Sequence, residues 1–327
     1  MTDPPVTVIL PTHDHAALLP FAIASVTEQS FGDLALVVIG DGVDDATRDV
    51  VADVCRRDPR VSFLDRPKAL RHAEEVRDEV IGSTDSAVIA YHGDDDLLLP
   101  WHLREMLDVL GDNDFAHPLP LLVEPDGTLR YIPTDVSRPD CRDWHRDPDS
   151  VNNAVSLTGV VHSAASYRRL PAGWRTAPVG TPTDLHMWRQ YFGLPDLRAV
   201  TANRATTIKL HTDRRKALSP DERVGEIEQW WRRVHATGFR EQWDTNADAA
   251  VRRAAVDCQL AMSARRNQIQ RVQERADSER GSASQRIRQL AAERDEARRQ
   301  LASVTGSRSW RLSRPLRRAA QRLRRNR

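Results

Sequence analysis

Cysteine is scarce in this chain of 327 residues: Cys55, Cys141 and Cys258 lie far apart, form no CxxC pair and leave one thiol over. That excludes a disulfide framework and a zinc knuckle, and it points to a reducing compartment. Net charge is nearly absent too, with 48 basic residues against 47 acidic ones and a formal total of +1. No global field therefore argues for a specific nucleic-acid partner. No apolar run approaches the roughly 18 residues that a membrane span needs. The opening MTDPPVTVIL lacks the basic stretch and cleavage site of a secretory leader. A cytoplasmic protein is the expectation. Lysine occurs only at Lys68, Lys209 and Lys216. P-loop, GxSxG and HExxH signatures are missing, which removes those reaction classes.

What is present is unevenly spread. Hydrophobic residues make up 40% and charged residues 29%, a balance that suits one full-sized α/β domain with an appendage. Residues 307–327 hold nine arginines and no acid. Removing nine positive charges from +1 leaves −8 on the rest, so an acidic body carries a basic tail.

Short β-branched runs at 6–10 and 34–39, bounded by turn residues, predict buried parallel strands. Helical spacing over 16–29, 45–57 and 72–81, with strands at 61–64 and 87–91, gives a β-α-β-α-β-α-β order. That order implies a doubly wound sheet with ligands at the carboxyl ends of its strands. One helix is expected over 101–110, then a Pro- and Asp-rich stretch to residue 149 with little periodicity. Regular structure resumes at 157–162, 184–192 and 206–210. From residue 221 the chain reads as helix, with Trp230 and Trp231 docking it on the domain. Ile287, Leu290, Ala297, Leu301 and Val304 fit a short heptad seam, while Gly281 and Ser282 are expected to interrupt the preceding part.

Three loops follow the predicted strands. Pro11-Thr12-His13-Asp14-His15 follows the first; its two histidines, taken alone, could ligate a metal. Gly40-Asp41-Gly42-Val43-Asp44-Asp45 starts like a dinucleotide loop, but an aspartate at the third glycine position would repel a pyrophosphate. Asp41 is better suited to accept a hydrogen bond from a base edge, and Asp44 or Asp45 to cap the next helix. His92-Gly93-Asp94-Asp95-Asp96 follows the fourth strand. Three consecutive carboxylates repel one another unless solvent or a cation neutralises them, so the run suits a hard divalent ion on a diphosphate.

These motifs together resemble a family 2 glycosyltransferase of the GT-A fold, over about residues 5–211. The resemblance implies a GT-A-like doubly wound, mostly parallel sheet followed by a C-terminal helical extension. It implies Pro11, Thr12, His13 and Asp14 framing the nucleotide, Asp41 on its base, and Arg77, in a pair with Asp78, on nucleotide or diphosphate. His92-Gly93-Asp94-Asp95-Asp96 resembles the DxD region, which implies Asp94 on the ribose and Asp95, supported by Asp96, on Mn2+ or Mg2+. Gly93 departs from the family's first Asp. Thr183-Asp184-Leu185-His186-Met187-Trp188 resembles the E-D-x-x-L-W helix start, with Thr183 in place of Glu; Asp184 is then the general base of inverting transfer. Lys209 and His211 are candidates for diphosphate contact, and Trp144, Asn153 and Trp174 for acceptor binding. The ending Ser309-Trp310-Arg311-Leu312-Ser313-Arg314-Pro315-Leu316-Arg317 resembles that of bacterial polysaccharide and cell-envelope glycosyltransferases.

The expected organisation is a catalytic domain at 1–215, with a nucleotide-binding half at 1–100 and an acceptor half at 101–215. A helical extension at 216–304 could self-associate as a coiled coil, and an Arg-rich amphipathic tail at 305–327 could bind anionic lipid at the inner face of the plasma membrane. The expected activity moves a sugar from a nucleotide diphospho-sugar to a glycan or lipid-linked hydroxyl. A metal-dependent hydrolase built on His13, His15 and the 94–96 run is one rival. A non-catalytic nucleotide-sugar-binding scaffold, favoured by Gly93 and Thr183, is the other. A sugar nucleotidyltransferase would need a G-x-G-T-R loop where Pro11-Thr12-His13 stands.

Overall fold

A computed structural model describes residues 5–210, 215–313, 315, 316 and 321. Two compact units divide it, Met1–Val256 and Asp257–Arg327.

The first unit is built on a seven-stranded sheet. β1 (Val6–Thr12), β2 (Leu34–Asp41), β3 (Val61–Arg66) and β4 (Val88–Tyr91) run parallel, with β1 between β2 and β4. β5 (Leu97–Leu98) lies outside this sheet. Beyond β4 come the antiparallel β9 (Val161–Ser163), then β6 (Phe115–His117) and β10 (Ala199–Thr201). The spatial order is β10-β6-β9-β4-β1-β2-β3. Val6, Val8, Ile9 and Leu10 are fully buried, as a strand covered by helices on both faces requires. The connections from β1 lead away to β2 and β3 while β4 returns on its other side, so the sheet has a switch point between β1 and β4.

Three helices connect these strands: α1 (Leu19–Thr27), α2 (Asp45–Arg57) and α3 (Glu74–Ser83). Asp44, not Asp45, caps α2, accepting from the Thr47 amide at 2.9 Å, while Asp45 pairs with Arg48 on the surface. α4 (His102–Leu110) follows at the helix expected over 101–110.

The stretch expected to be irregular is more ordered than its composition implies. It holds β6, the hairpin of β7 (Leu121–Val123) and β8 (Leu129–Tyr131), and α5 (Pro139–Arg146). Strands of three residues are too short to show a period of two, which is why the sequence hides them. After α6 (Ala164–Tyr167), α7 (Thr183–Phe192) buries Leu185, Met187, Trp188, Tyr191 and Phe192. β11 (Thr207–Ile208) pairs with β5, crossing from the acceptor half to the loop that follows β4.

α8 (Pro220–Val234) starts with a capping box between Ser219 and Glu222. Trp230 packs edge-on to Trp243, 6.1 Å between centroids, and Trp231 meets Phe21. Trp230, Phe239, Trp243, Ala247 and Ala250 share a core with Leu97, Leu121 and Ile208. The first unit consequently runs to Val256 rather than ending near 215. α9 is continuous from Phe239 to Gly306, so Gly281 and Ser282 do not interrupt it; a single helix-interior glycine costs only about 1 kcal/mol. In the second unit α10 (Arg308–Leu312) follows it. Among the described residues no helix is long and apolar enough to cross a membrane.

Candidate functional site

A cleft of about 600 Å³ opens at the carboxyl ends of β1, β2 and β4. Its lining brings together Pro11, Thr12, His13, Asp14, Asp41, Arg77, Asp94, Asp95, Trp174, Asp184 and Lys209, residues from each motif noted between positions 11 and 209. A strand-end loop is the one place where segments so distant in sequence converge without spoiling the core.

Asp41 ends β2 and is buried. Its Oδ2 accepts from Lys68 Nζ at 2.5 Å and its Oδ1 from the Ala69 amide at 2.6 Å. Lys68 was not legible as a site residue; the signal is Gly42, at φ +67°, whose turn lets the loop after β3 approach. A Cβ there would stand 2.6 Å from Lys68 Cβ and 2.8 Å from its amide nitrogen. Gly42→Ala should therefore destabilise the protein by about 2 kcal/mol, the scale of a strained backbone plus a clash, as read in a denaturant melt.

Arg77 enters from α3 and is 3% exposed. Its guanidinium carbon lies 4.7 Å from the Trp174 ring centroid, and Nε and Nη1 have no hydrogen-bond partner among the described residues. Burial pushes its pKa down, opposed by the charges of Glu74, Asp184 and Asp41. A buried guanidinium with free donors is costly unless an acceptor completes it. Ala73, just before α3, takes a left-handed backbone at φ 55°. The turn brings the His72 amide to Glu74 Oε2 at 2.9 Å and leaves Arg71 and His72 in the cleft wall. Neither was anticipated from the sequence.

The three carboxylates after β4 have separate surroundings. Asp94 Oδ1 lies 2.9 Å from His15 Nδ1, a contact that raises the histidine's pKa. Arg223 of α8 reaches the other ring nitrogen at 3.1 Å. His13 is exposed, while His15 is held between Asp94 and Arg223. Asp95 lines the cleft, with Arg215 and Arg223 each 3.5 Å from Oδ2. Burial works to raise its pKa, but Lys209, Arg215 and His15 outweigh it and hold the carboxyl below its ordinary value. Asp96 is fully buried and absent from the cleft lining. Its Oδ2 accepts from Thr158 Oγ1 at 2.5 Å and Lys209 Nζ at 2.8 Å, and its Oδ1 from the Leu210 amide at 3.1 Å. Asp96, expected as a metal ligand, is engaged by three protein donors outside the cleft lining.

Gly93 stands against this cluster. A Cβ there would lie 3.0 Å from Thr158 Oγ1 and 3.2 Å from Asp96 Oδ2, so the family's Asp would crowd a second carboxylate. Thr183, the other departure, donates to Glu74 Oε1 at 2.9 Å. Glu74 is wholly buried, so α3 supplies a carboxylate beside the position where the family carries one on α7.

Asp184 opens α7, and its Oδ1 accepts from the Leu185 amide at 2.8 Å. Burial raises its pKa, opposed by that amide and by the nearby Asn153 side chain. A second cavity of about 460 Å³ adjoins, and the two share Pro182, Asp184 and Lys209 in their walls. Asn153 lines this second cavity with Pro118, Pro120, Leu122, Ile132 and Ser156. Trp174 is fully buried, donates to Tyr91 OH at 2.8 Å and faces the first cleft rather than the second. Trp144 is 46% exposed and lines neither. His211 lies outside the described residues. Among the described residues no three His, Cys, Asp or Glu side chains converge on one metal position. The donor set fits a divalent ion only in the form of one ionised carboxylate, Asp95, with phosphate oxygens completing the shell.

The family model of glycosyl transferase family 2 matches residues 7–168. A curated relative, the GalNAc(5)-diNAcBac-PP-undecaprenol beta-1,3-glucosyltransferase of Campylobacter jejuni, is 27% identical over 127 residues. That match covers 38% of this chain and spans about two fifths, 41%, of the relative's length. Among solved structures, TarS of S. aureus aligns at 12% identity and a TM-score of 0.49, over 77% of this chain and 71% of that one. The mannosyltransferase PcManGT of Pyrobaculum calidifontis, in complex with GDP-Man and Mn2+, aligns at 15% identity and a TM-score of 0.44, over 80% and 79%.

Proposed function

Because this chain belongs to glycosyl transferase family 2 through residues 7–168, we propose that its two joined cavities are the donor and acceptor sides of one inverting active site. The observation that carries this reading is Asp184 in the wall common to both. A base there reaches an acceptor hydroxyl on one side while the sugar's C1 is presented on the other.

In this reading the larger cleft holds a nucleotide diphospho-sugar. Pro11, Thr12, His13 and Asp14 border the nucleotide. Asp41 contributes the lone pairs left over from Lys68 and Ala69, since a carboxylate offers about four acceptor sites. Asp94 meets the ribose. Arg77 donates to the diphosphate, which completes its free Nε and Nη1. Lys209 adds positive charge from β11's end while holding Asp96, and Asp96 supports Asp95 by fixing the loop rather than by ligation. Bound Mn2+ or Mg2+ on Asp95 would supply charge to the leaving diphosphate.

The acceptor hydroxyl attacks C1 from the face opposite the diphosphate. Its oxygen bonds to C1, the bond from C1 to the diphosphate oxygen breaks with its electron pair, and the hydroxyl proton passes to the Asp184 carboxylate. The Asn153 amide and the Leu185 amide orient that carboxylate. A lipid-linked or polysaccharide acceptor is supported by the apolar walls of the second cavity, Pro118, Pro120, Leu122 and Ile132, and by a relative whose name specifies an undecaprenol-linked acceptor. Trp310, Leu312 and Leu316 are exposed beside the tail arginines, which supports peripheral binding to an anionic inner membrane surface. The remaining apolar tail residues, Ala319, Ala320 and Leu323, lie outside the described residues.

Only the ionised base is active, and burial raises the Asp184 pKa. The rate should therefore fall with decreasing pH at values above the ordinary carboxylate range, and that limb should vanish in a variant lacking the carboxylate. A pH profile of kcat checks the sign. The reading itself is tested by incubating UDP-, dTDP- and GDP-sugars of α configuration with the protein and a membrane extract as acceptor source. β-linked product with release of one nucleoside diphosphate is expected. Release of free sugar without any acceptor-linked product would support the hydrolase, and no turnover with tight binding would support the scaffold.

A further inference from the structure

The second unit carries a repeat that the proposed chemistry does not use. Every seventh residue from Met262 to Val304 is apolar: Met262, Ile269, Ala276, Ala283, Leu290, Ala297 and Val304. All lie on α9, and the larger four are about half exposed, at 54%, 51%, 48% and 53%. A straight helix drifts by about 20° per heptad, so a column kept for six intervals of seven implies a partner that shares a left-handed supercoil. A membrane surface or a globular face has no such period.

The adjacent seam column, four residues after each of these, reads Arg266, Gln273, Arg280, Ile287, Arg294 and Leu301. In a parallel in-register pair each of these faces its own copy, which stacks three arginine pairs in the seam. In an antiparallel pair each faces a residue of the apolar column instead, so Arg266 and Arg280 can extend their stems along Ala297 and Ala283, and Arg294 along Ile269, to reach water. The flanking column makes the same choice. Glu279 and Arg286 sit one heptad apart there, and a two-fold axis between them joins each to the other's counterpart.

From this we infer that α9 pairs with the same helix of a second copy, antiparallel, about a two-fold between Glu279 and Arg286. The layers then match Leu301 with Met262, Ile287 with Ala276, and Arg280 with Ala283. The occupant is this chain itself, and the inference stands whether or not the proposed glycosyl transfer is correct.

Light scattering and sedimentation of the full chain should return twice 36.9 kDa at micromolar concentration. Met262→Glu combined with Leu290→Glu should weaken association by about 100-fold or more and return the monomer mass. Both side chains are already exposed, so melting of the first unit should not change. Orientation is read by cross-linking in a Cys258→Ser background. Arg265→Cys with Gln300→Cys should give an oxidised dimer, because the two positions meet across the axis. Within one chain they are about 53 Å apart. A monomer mass at all concentrations would overturn the pairing, as would a dimer indifferent to the glutamates. A dimer in which Arg265→Cys alone cross-links to itself, while the pair adds nothing, would overturn the antiparallel arrangement.

Discussion

Asp184→Asn should lower kcat by about 10²–10⁴-fold, the usual contribution of a positioned general base, and leave nucleotide binding nearly unchanged. The amide preserves shape and can still accept from the Leu185 amide, so stability should change little. Because the proton is taken only as the hydroxyl attacks, kcat and kcat/KM should fall together while KM stays within a few-fold. Steady-state kinetics with nucleoside diphosphate release as the signal makes the separation. A variant that loses donor binding instead would mean that Asp184 serves the cleft wall and that another group takes the proton.

Asp96→Ala should cost about 3–5 kcal/mol of stability, the penalty for breaking a buried ion pair and leaving one partner uncompensated. Its side chain is fully buried, and removal strands Lys209 Nζ, Thr158 Oγ1 and the Leu210 amide at once. Asp95→Ala, one residue away, removes a carboxylate that, among the described residues, has Arg215 and Arg223 at 3.5 Å. It should cost less, about 1–3 kcal/mol, because the buried Arg215 keeps its 2.7 Å ion pair with Glu226. Denaturant melts of the two variants side by side separate the roles of adjacent aspartates. Equal losses would mean that Asp95 is as structural as Asp96, leaving the cleft without a free carboxylate for a cation.

The half of the fold with strong periodicity was legible. β1 to β4 and α1 to α3 fall where buried apolar runs and helical spacing put them, and the predicted α2 limits at 45–57 match Asp45–Arg57. The short strands β6, β7 and β8 offered no repeat long enough to read. The cleft lining was legible at the carboxyl ends of strands, where Pro11, Asp41 and Asp94 stand as the rule for ligand-binding loops directs. It was not legible where a residue acts through a contact distant in sequence. Lys68 matters because Gly42 lets its loop approach Asp41, and Glu74 because α7 packs Thr183 against α3. Asp96 carried a clue in its sequel, Leu97-Leu98-Leu99, since a carboxylate leading into a buried run is drawn inward with it. Trp144 and Trp174 were equivalent as composition; packing sent one to the surface and the other under the larger cleft.

The central claim is a diphosphate site between Arg77 and Asp95, and calorimetric titration of the purified chain with UDP, dTDP and GDP, with and without Mn2+, tests it most directly. One nucleotide should bind in a Mn2+-dependent manner, and Asp95→Ala should abolish the metal dependence. No binding of any of the three under either condition would contradict the account.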